Sequence, residues 1–247
     1  MIRELLVYRD VWLIGAGGKT TLMYWFAKAW RRLRKPCICT TTTRIFPPTK
    51  QQCADMLVGE YGEVCETLAY SNYQCVTVLR KIEQGKGLGF TAAEALSFRD
   101  LASHVVVEAD GSAGKPIKAH REDEPVVSEK ASCVVAVIGG WAVGRLLDGD
   151  SVHRPELFAQ RCGKPIGSEI TARDVTRVVF HRDGWLRGLG ENSDIYIALT
   201  GPDNGLGEAF ELAARNCLVR GIVRLPEVST LELHLPNSDG MTDELRG

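Results

Sequence analysis

The chain alternates between short apolar runs that end in glycine or aspartate and longer stretches whose apolar residues recur every three or four positions. The short β-branched runs predict buried strands at 11–15, 37–40, 104–110, 132–140 and 194–201. The periodic stretches predict helices at 20–34, 91–99, 171–180 and 206–219. Strands that alternate with helices indicate an α/β fold whose mostly parallel central sheet is covered by helices on both faces.

The stretch 20–34 has the clearest helical pattern. Its apolar positions form one stripe, which we expect to be buried against the sheet: Leu22, Trp25, Phe26, Ala29 and Leu33. Basic residues within 31–35 favour the negative end of a helix, and Pro36 ends it. In the stretch 171–180, Thr171 has a side chain typical of an N-cap.

Length, charge and cysteine usage narrow the class of protein. The chain of 247 residues has no internal repeat or linker, so we expect one domain over 1–247 with an insertion around 45–100. A formal net charge of −1 does not favour nucleic acid as a partner. No long apolar run predicts a membrane span, and the N-terminus lacks a signal-peptide pattern. Eight scattered cysteines without a CxxC pair are typical of free thiols in a cytoplasmic protein.

A glycine-rich string connects the first predicted strand to the first predicted helix. It reads GAGGKTT from Gly15 to Thr21, and its lysine follows three glycines within four positions. Glycines let backbone N–H groups surround phosphate oxygens, the lysine reaches the β- and γ-phosphates, and the next hydroxyl ligates Mg²⁺. Because Leu13 occupies the first glycine position of GxxxxGK[ST], the string resembles the shorter loop of Mur ligases and folylpolyglutamate synthetases. The alternative is a tight turn with a solvated lysine.

Two carboxylates follow the predicted strand at 104–110. Glu108 and Asp110 lie two positions apart, so on an extended chain both side chains point to the same side. An acid at the end of a strand is often only a turn residue, but beside a phosphate loop it can hold Mg²⁺ or its water. We therefore predict that Thr20 and one or both of these acids form a magnesium site.

Two further polar segments belong to the same predicted edge of the sheet. Four threonines and Arg44 follow the second predicted strand, where α/β proteins bind ligands, although threonine also simply favours strands. The segment 110–125 carries Lys115, Lys118 and His120. Such a run is usually a solvated loop, and its position beside the presumed γ-phosphate makes it a candidate switch or substrate-binding segment.

Several of these motifs together resemble the YqeC-type family, whose members are described as accessory proteins for selenium-dependent molybdenum hydroxylases. The resemblance rests on GAGGKTT, TTTR at 41–44, EADGSAGKPIKAH from 108 and HRPE at 153–156. It implies a three-layer P-loop NTPase-like fold and a role in maturing a molybdenum enzyme or its cofactor. The residues assigned to nucleotide binding are Gly15, Ala16, Gly17, Gly18, Lys19, Thr20, Thr21, Thr41, Thr42, Thr43, Arg44, Lys115 and Lys118; Lys19, Glu108 and Asp110 are also assigned to catalysis.

The sequence leaves the nucleotide and its use open. Guanine-binding proteins carry N/T-K-x-D after a late strand, whereas this chain reads TGPD at 200–203, with Gly201 in place of the lysine. This difference favours ATP over GTP. Three functions remain: a Mg²⁺-dependent nucleotide hydrolase that assists a molybdenum hydroxylase or its cofactor, a nucleotide-dependent ligase or transferase acting on a small molecule, and a non-hydrolysing module that binds a nucleotide or molybdopterin.

Overall fold

A computed structural model describes residues 2–189, 193–215 and 219–225. The strands in chain order are β1 Asp10–Gly15, β2 Cys37–Thr41, β3 Arg44–Ile45, β4 Asp55–Val58, β5 Cys75–Leu79, β6 Lys81–Glu83, β7 Lys86–Leu88, β8 His104–Glu108, β9 Ile117–Lys118, β10 Cys133–Gly139, β11 Val152–His153, β12 Asp194–Thr200 and β13 Val219–Leu225. The α-helices are α1 Lys19–Arg32, α2 Tyr61–Ala69, α3 Ala92–Ser97, α4 Pro155–Cys162, α5 Ala172–Val179 and α6 Leu206–Ala214.

The central sheet has eight strands in the order β13-β12-β10-β1-β8-β2-β5-β4, and every neighbouring pair is parallel. Strand β1 shows how both faces are covered. Val11 and Leu13 pack in the cluster that contains the apolar face of α1, whereas Trp12 and Ile14 pack in the cluster that includes residues of α5 and α6. The predicted α/β fold with a mostly parallel central sheet between helices is therefore confirmed.

The predicted elements of this sheet are confirmed, with differences at their ends. Helix α1 buries Leu22, Phe26 and Ala29 but ends at Arg32, two residues before the predicted end. Thr171 caps α5 as predicted, because its hydroxyl accepts a hydrogen bond from the Asp174 N–H. The last predicted helix was too long: α6 ends at Ala214 and β13 begins at Val219, while 216–218 lie outside the described residues.

The segment 45–100 supplies structure that the apolar pattern did not predict. Strands β4 and β5 extend the central sheet at one edge, and β3, β7 and β6 form a small antiparallel sheet. Strand β4 leaves Met56 and Val58 exposed and packs only Leu57 partly against the core, so it lacks the continuous buried pattern of the inner strands. The division of the chain into a single domain stays a prediction.

Two further expectations concern the cysteines and the membrane. Seven cysteines are free thiols in the structure, and Cys217 lies outside the described residues. Over 2–189, 193–215 and 219–225, no helix combines the length and the apolar character needed to cross a bilayer.

Candidate functional site

The glycine loop lies between β1 and α1, at the carboxyl edge of the sheet, as the sequence predicted. Gly15, Gly17 and Gly18 all have positive φ angles, of 92°, 91° and 120°. A Cβ on Gly15 would overlap the ring of Trp185, and one on Gly17 would overlap the backbone of Gly139. The first two glycines are therefore needed for close packing inside the protein as well as for the backbone conformation.

Lys19 begins α1 and its side chain is buried beneath the loop. Its ammonium group donates a hydrogen bond to the Gly15 carbonyl and lies 3.1 Å from Asp110 Oδ1 and 3.7 Å from Glu108 Oε1. Burial lowers the pKa of Lys19, but the two carboxylates outweigh burial and raise the pKa above its ordinary value. Lys19 is thus charged and held close to both predicted acids.

Glu108 faces a cavity beside the glycine loop. Its Oε2 accepts a hydrogen bond of 2.7 Å from the Thr20 hydroxyl, and both residues line the cavity. Burial raises the pKa of Glu108, and neighbouring Asp110 adds to the increase, although Lys19 and the Thr20 hydroxyl oppose it. Adding a cation near Glu108 would therefore favour its charged form.

Asp110 is fully buried and does not line this cavity. Its Oδ2 accepts a hydrogen bond of 2.7 Å from the Gly15 N–H and another from His120 Nε2. Burial alone would raise the pKa of Asp110, but Lys19, His120 and Lys118 hold that pKa well below its ordinary value. The carboxylate thereby fixes the start of the glycine loop.

A second layer of charge lies next to Asp110, and sequence reasoning missed two of its members, Glu124 and Arg154. Lys118 Nζ donates to the Gly111 carbonyl at 2.6 Å and lies 3.1 Å from Glu124 and 3.4 Å from Asp110. Arg154 holds both oxygens of Glu124, at 2.6 and 2.9 Å. We call Asp110, Lys118, His120, Glu124 and Arg154 the buried charge cluster.

The buried charge cluster shows that 110–125 is not simply the solvated loop that such a run usually forms. The expected role of 110–125 as a switch or substrate-binding segment stays a prediction. Lys118 and His120 are fully buried, and Lys118 belongs to β9, which pairs with β11. Burial lowers the pKa of Lys118 and of His120, while the adjacent acids oppose that effect. Because Arg154 stands in the HRPE string at 153–156, the clearest sequence signal for this cluster was that string together with KPIKAH.

The threonine segment after β2 divides between structural and cavity-lining roles. Thr41 donates a hydrogen bond of 2.6 Å to the Glu108 carbonyl, and Thr42 donates one of 2.9 Å to the Val126 carbonyl. Neither of these two residues lines the cavity, whereas Thr43 and Arg44 do.

The cavity has a volume of about 1160 Å³, and a single carboxylate, that of Glu108, lines it among the described residues. It is lined by the second half of the glycine loop, 17–21, by 111–116 and by basic side chains. Those basic side chains are Lys19, Arg44, Lys86, Lys115 and Arg145. The charge of this wall favours an anionic ligand. Of the residues predicted to bind nucleotide, Gly15, Ala16, Thr41, Thr42 and Lys118 support the wall from behind rather than line it.

The end of β12 and the residues that follow it, 200–203, form hydrogen bonds within the protein. Thr200 donates hydrogen bonds to the carbonyls of Gly17 and Ile138, which connects β12 to the glycine loop. Asp203 Oδ1 accepts a hydrogen bond of 2.9 Å from the Gly207 N–H at the start of α6. Asp203 therefore caps a helix and does not line the cavity.

The donor set near the loop fits a magnesium ion. Thr20 and Glu108 present oxygen atoms at the cavity wall, and oxygen atoms are the ligands that Mg²⁺ prefers. No group of three or more His, Cys, Asp or Glu side chains in the described parts of the chain forms a cage for a metal. Such a cage is not required, because Mg²⁺ commonly uses one or two protein ligands and completes its shell with water and phosphate oxygens.

Comparison with known proteins supports one assignment. The sequence model of the family described as YqeC protein matches residues 11–156, more than half of the chain. A curated protein from Escherichia coli (strain K12), described as "Uncharacterized protein YqeC", is 33% identical over 183 residues, which cover 72% of this chain and 70% of that protein. No solved structure matches the chain. The matched region contains the glycine loop, Glu108 and the buried charge cluster, and the chain belongs to the YqeC family.

Proposed function

We propose that this protein binds a nucleoside triphosphate with Mg²⁺ and hydrolyses it, with ATP favoured over GTP. One observation carries the proposal. At the wall of a basic cavity, Glu108 lies 3.7 Å from the Lys19 ammonium and 2.7 Å from the Thr20 hydroxyl, and Lys19 and Thr20 directly follow the glycine loop. In phosphate-binding loops a lysine reaches the β- and γ-phosphates, a hydroxyl ligates Mg²⁺, and the helix N-terminus adds its positive end. Glu108 would add an acidic ligand for the metal.

Each group has a distinct role in the proposed site. Residues 17–20, which include the start of α1, line the cavity, and their backbone N–H groups would bind phosphate oxygens. Lys19 would move from its contacts with the two carboxylates towards the β- and γ-phosphates. Thr20 and Glu108 would hold Mg²⁺, directly or through water, and the metal would supply neutralisation of the charge that develops during phosphoryl transfer.

Asp110 has a positioning role in this proposal rather than a metal-binding one. Its carboxylate holds the Gly15 N–H and lies against the Lys19 ammonium, yet it is fully buried behind the loop. Between the two acids assigned from the sequence, exposure to the cavity therefore favours Glu108 as the metal-facing residue. Asp110 and Lys118 would keep the loop in the shape that receives phosphate.

The pathway that uses the nucleotide is a further part of the proposal. The family resemblance supports a role in the maturation of a molybdenum hydroxylase or its cofactor. Turnover by the chain alone is expected to be slow, because 111–116 beside the cavity contains neither a glutamine that could orient a water nor an arginine that could neutralise the transition state. An arginine supplied by a partner can accelerate such a reaction by about 10³- to 10⁵-fold.

The direct test combines binding with product analysis. Calorimetry with ATP and GTP in the presence of Mg²⁺ should show binding to the wild-type protein, and a phosphate-release assay should show slow turnover. Tight binding without any phosphate release would favour a non-hydrolysing nucleotide or molybdopterin module instead. Failure to bind any triphosphate or its Mg²⁺ complex would contradict the proposal.

The basic wall favours a second candidate function, a nucleotide-dependent ligase or transferase. Arg44 and Lys86 line the cavity beyond β8 and β2, at the opposite end from β10, where a second anionic molecule could receive the phosphoryl group. The whole cavity also exceeds the roughly 300–1,000 Å³ of a site for one small molecule. Phosphate release that depends on an added small acid, with a new product in mass spectrometry, would favour this function over simple hydrolysis.

A further inference from the structure

Two exposed aromatic side chains line the cavity without a role in the proposed function, Phe46 beyond β2 and Trp141 beside the glycine loop. All five tryptophans of the chain lie within the described residues, and four of them are buried. Trp141 is 44% exposed and lines the cavity that contains the glycine loop. It stands in a short 3₁₀ turn, Gly140–Ala142, directly after β10. An exposed indole costs solvation, so its position at the wall of a ligand-sized cavity points to a ligand with an aromatic face.

The surroundings of Trp141 hold the indole in a defined place beside the loop. Strand β10 pairs directly with β1, so Gly139 packs against Gly17 of the loop. The indole lies against Gly201, and the preceding residue, Thr200, donates a hydrogen bond to the Gly17 carbonyl. Trp141 is therefore connected to the glycine loop through contacts on two sides.

Gly201 explains why an indole can occupy this place. A Cβ on Gly201 would overlap the ring of Trp141. In the TGPD string at 200–203, Gly201 stands where guanine-binding proteins carry a lysine whose stem lies over the base. The indole of Trp141 occupies the space next to the backbone that a longer side chain at 201 would need. The absence of a lysine at 201 and the presence of Trp141 beside it therefore belong together.

The order of strand ends indicates which part of a nucleotide reaches Trp141. The strands run β10, β1, β8, β2 along this edge, so Trp141, the loop, Glu108 and Arg44 follow one another across the cavity. Thr20 and Glu108 mark the end where metal and terminal phosphate belong in the proposed function. The opposite end of a nucleotide that passes the loop then extends towards Trp141.

We propose that Trp141 forms a nucleobase subsite, with the indole stacked on the base of the bound nucleotide. This inference rests on the proposed function, since it requires a triphosphate at the glycine loop. Stacking uses the aromatic face that every base has, so the subsite recognises adenine and guanine alike. Hydrogen bonds to the base edge are not needed for it, in agreement with Asp203 being used as a helix cap.

The experiment compares nucleotides with a probe that has no base. Affinities of ATP, GTP and inorganic tripolyphosphate are measured with Mg²⁺ for the wild type, Trp141→Leu and Trp141→Phe. The matched control is Phe46→Leu, an exposed aromatic residue that lines the same cavity beyond β2. Thermal unfolding of each variant checks that it is folded.

The subsite predicts a specific pattern. Trp141→Leu should weaken the binding of ATP and GTP about 5- to 100-fold and leave the affinity for tripolyphosphate unchanged. Trp141→Phe should show a smaller loss than Trp141→Leu, because a phenyl ring can still stack on the base. Phe46→Leu should leave all three affinities unchanged. ATP, but not tripolyphosphate, should also quench the fluorescence of the wild type, because Trp141 is the exposed tryptophan.

Three results would overturn the inference, and a fourth concerns the proposed function. Unchanged ATP affinity in Trp141→Leu excludes stacking, and an equal loss for ATP and tripolyphosphate means that Trp141 acts only through the loop. A loss of ATP affinity in Phe46→Leu instead places the base at the other end of the cavity. If the wild type binds neither ATP nor tripolyphosphate, the proposed function itself fails, and the subsite fails with it.

Discussion

Glu108 and Asp110 lie two residues apart in the chain, yet they belong to different regions of the molecule. Glu108 faces a basic cavity and shares a hydrogen bond with Thr20. Asp110 faces inward, where it contacts the Gly15 N–H, Lys118 and His120. Two acids of one short motif can therefore have different roles: one faces the cavity where a ligand would bind, and the other holds the backbone of the glycine loop in place.

The protonation behaviour of the two acids separates them as well. Burial raises the pKa of Glu108, whereas neighbouring cations hold the pKa of Asp110 well below its ordinary value. Asp110 is therefore already stabilised as an anion by the protein. Glu108 has a weaker set of partners and gains from an additional cation at the cavity wall.

The largest expected effect is on stability at Asp110. Asp110→Asn leaves the buried ammonium groups of Lys19 and Lys118 without their shared counter-charge, so the free energy of unfolding should fall by about 3–5 kcal/mol. Urea denaturation at neutral pH measures it. The matched variant Glu108→Gln should cost about 1 kcal/mol or less, because burial already opposes the charge of Glu108 and Lys19 keeps Asp110 as a counter-charge. Equal losses for the two variants would remove the distinction between the regions.

The next effect concerns nucleotide affinity at Lys19. Lys19→Ala removes a charge-assisted contact of about 1.5–3 kcal/mol to the phosphates, so ATP affinity should fall at least about tenfold. Calorimetry measures the affinity, with Lys28→Ala as a control that removes an exposed cation from the same helix. A folded Lys19→Ala variant that binds ATP as tightly as the wild type would contradict a phosphate-binding loop.

The buried charge cluster predicts a pH dependence of stability. Arg154 and Lys118 outweigh burial and lower the pKa of Glu124 from 4.5 to about 2. A carboxylate with a lowered pKa in the folded state stabilises the fold above its unfolded pKa, and this contribution is lost as pH falls towards 2. The difference in unfolding free energy between the wild type and Glu124→Gln should therefore shrink from pH 5 to pH 2. A difference that stays constant over this window would show that Glu124 is not held as an anion.

The smallest expected effect is at the basic wall. Lys115 is partly exposed, and its nearest carboxylate, Asp150, is 3.9 Å away. Lys115→Ala should lower the affinity for ATP about two- to fivefold at low salt and by a smaller factor at high salt. It should leave the free energy of unfolding unchanged. Titrations at two salt concentrations measure this. A stability loss comparable to that of Asp110→Asn would mean that the wall is structural too.

The sequence allowed five of the eight strands of the central sheet, β1, β2, β8, β10 and β12, and the cavity-facing part of the site to be predicted. Apolar runs that end in glycine or acid placed Lys19, Thr20 and Glu108 at one edge, because parallel strands bring their carboxyl ends together. The buried charge cluster could not be predicted in the same way. Lys118 is polar in any local pattern, and its burial accompanies the pairing of β9 with β11, which are far apart in the chain. Arg154 directly follows β11 and is brought to Glu124 from 30 residues away in the chain.

The most direct test of the central claim is the Mg²⁺ dependence of ATP binding in Glu108→Gln. We expect that Mg²⁺ strengthens ATP binding to the wild type and that Glu108→Gln loses most of this gain while it still binds ATP without metal. Calorimetric titrations with and without Mg²⁺ on both proteins measure the gain. An unchanged gain in a folded Glu108→Gln variant would contradict the assignment of Glu108 as the metal-facing carboxylate of a nucleotide site.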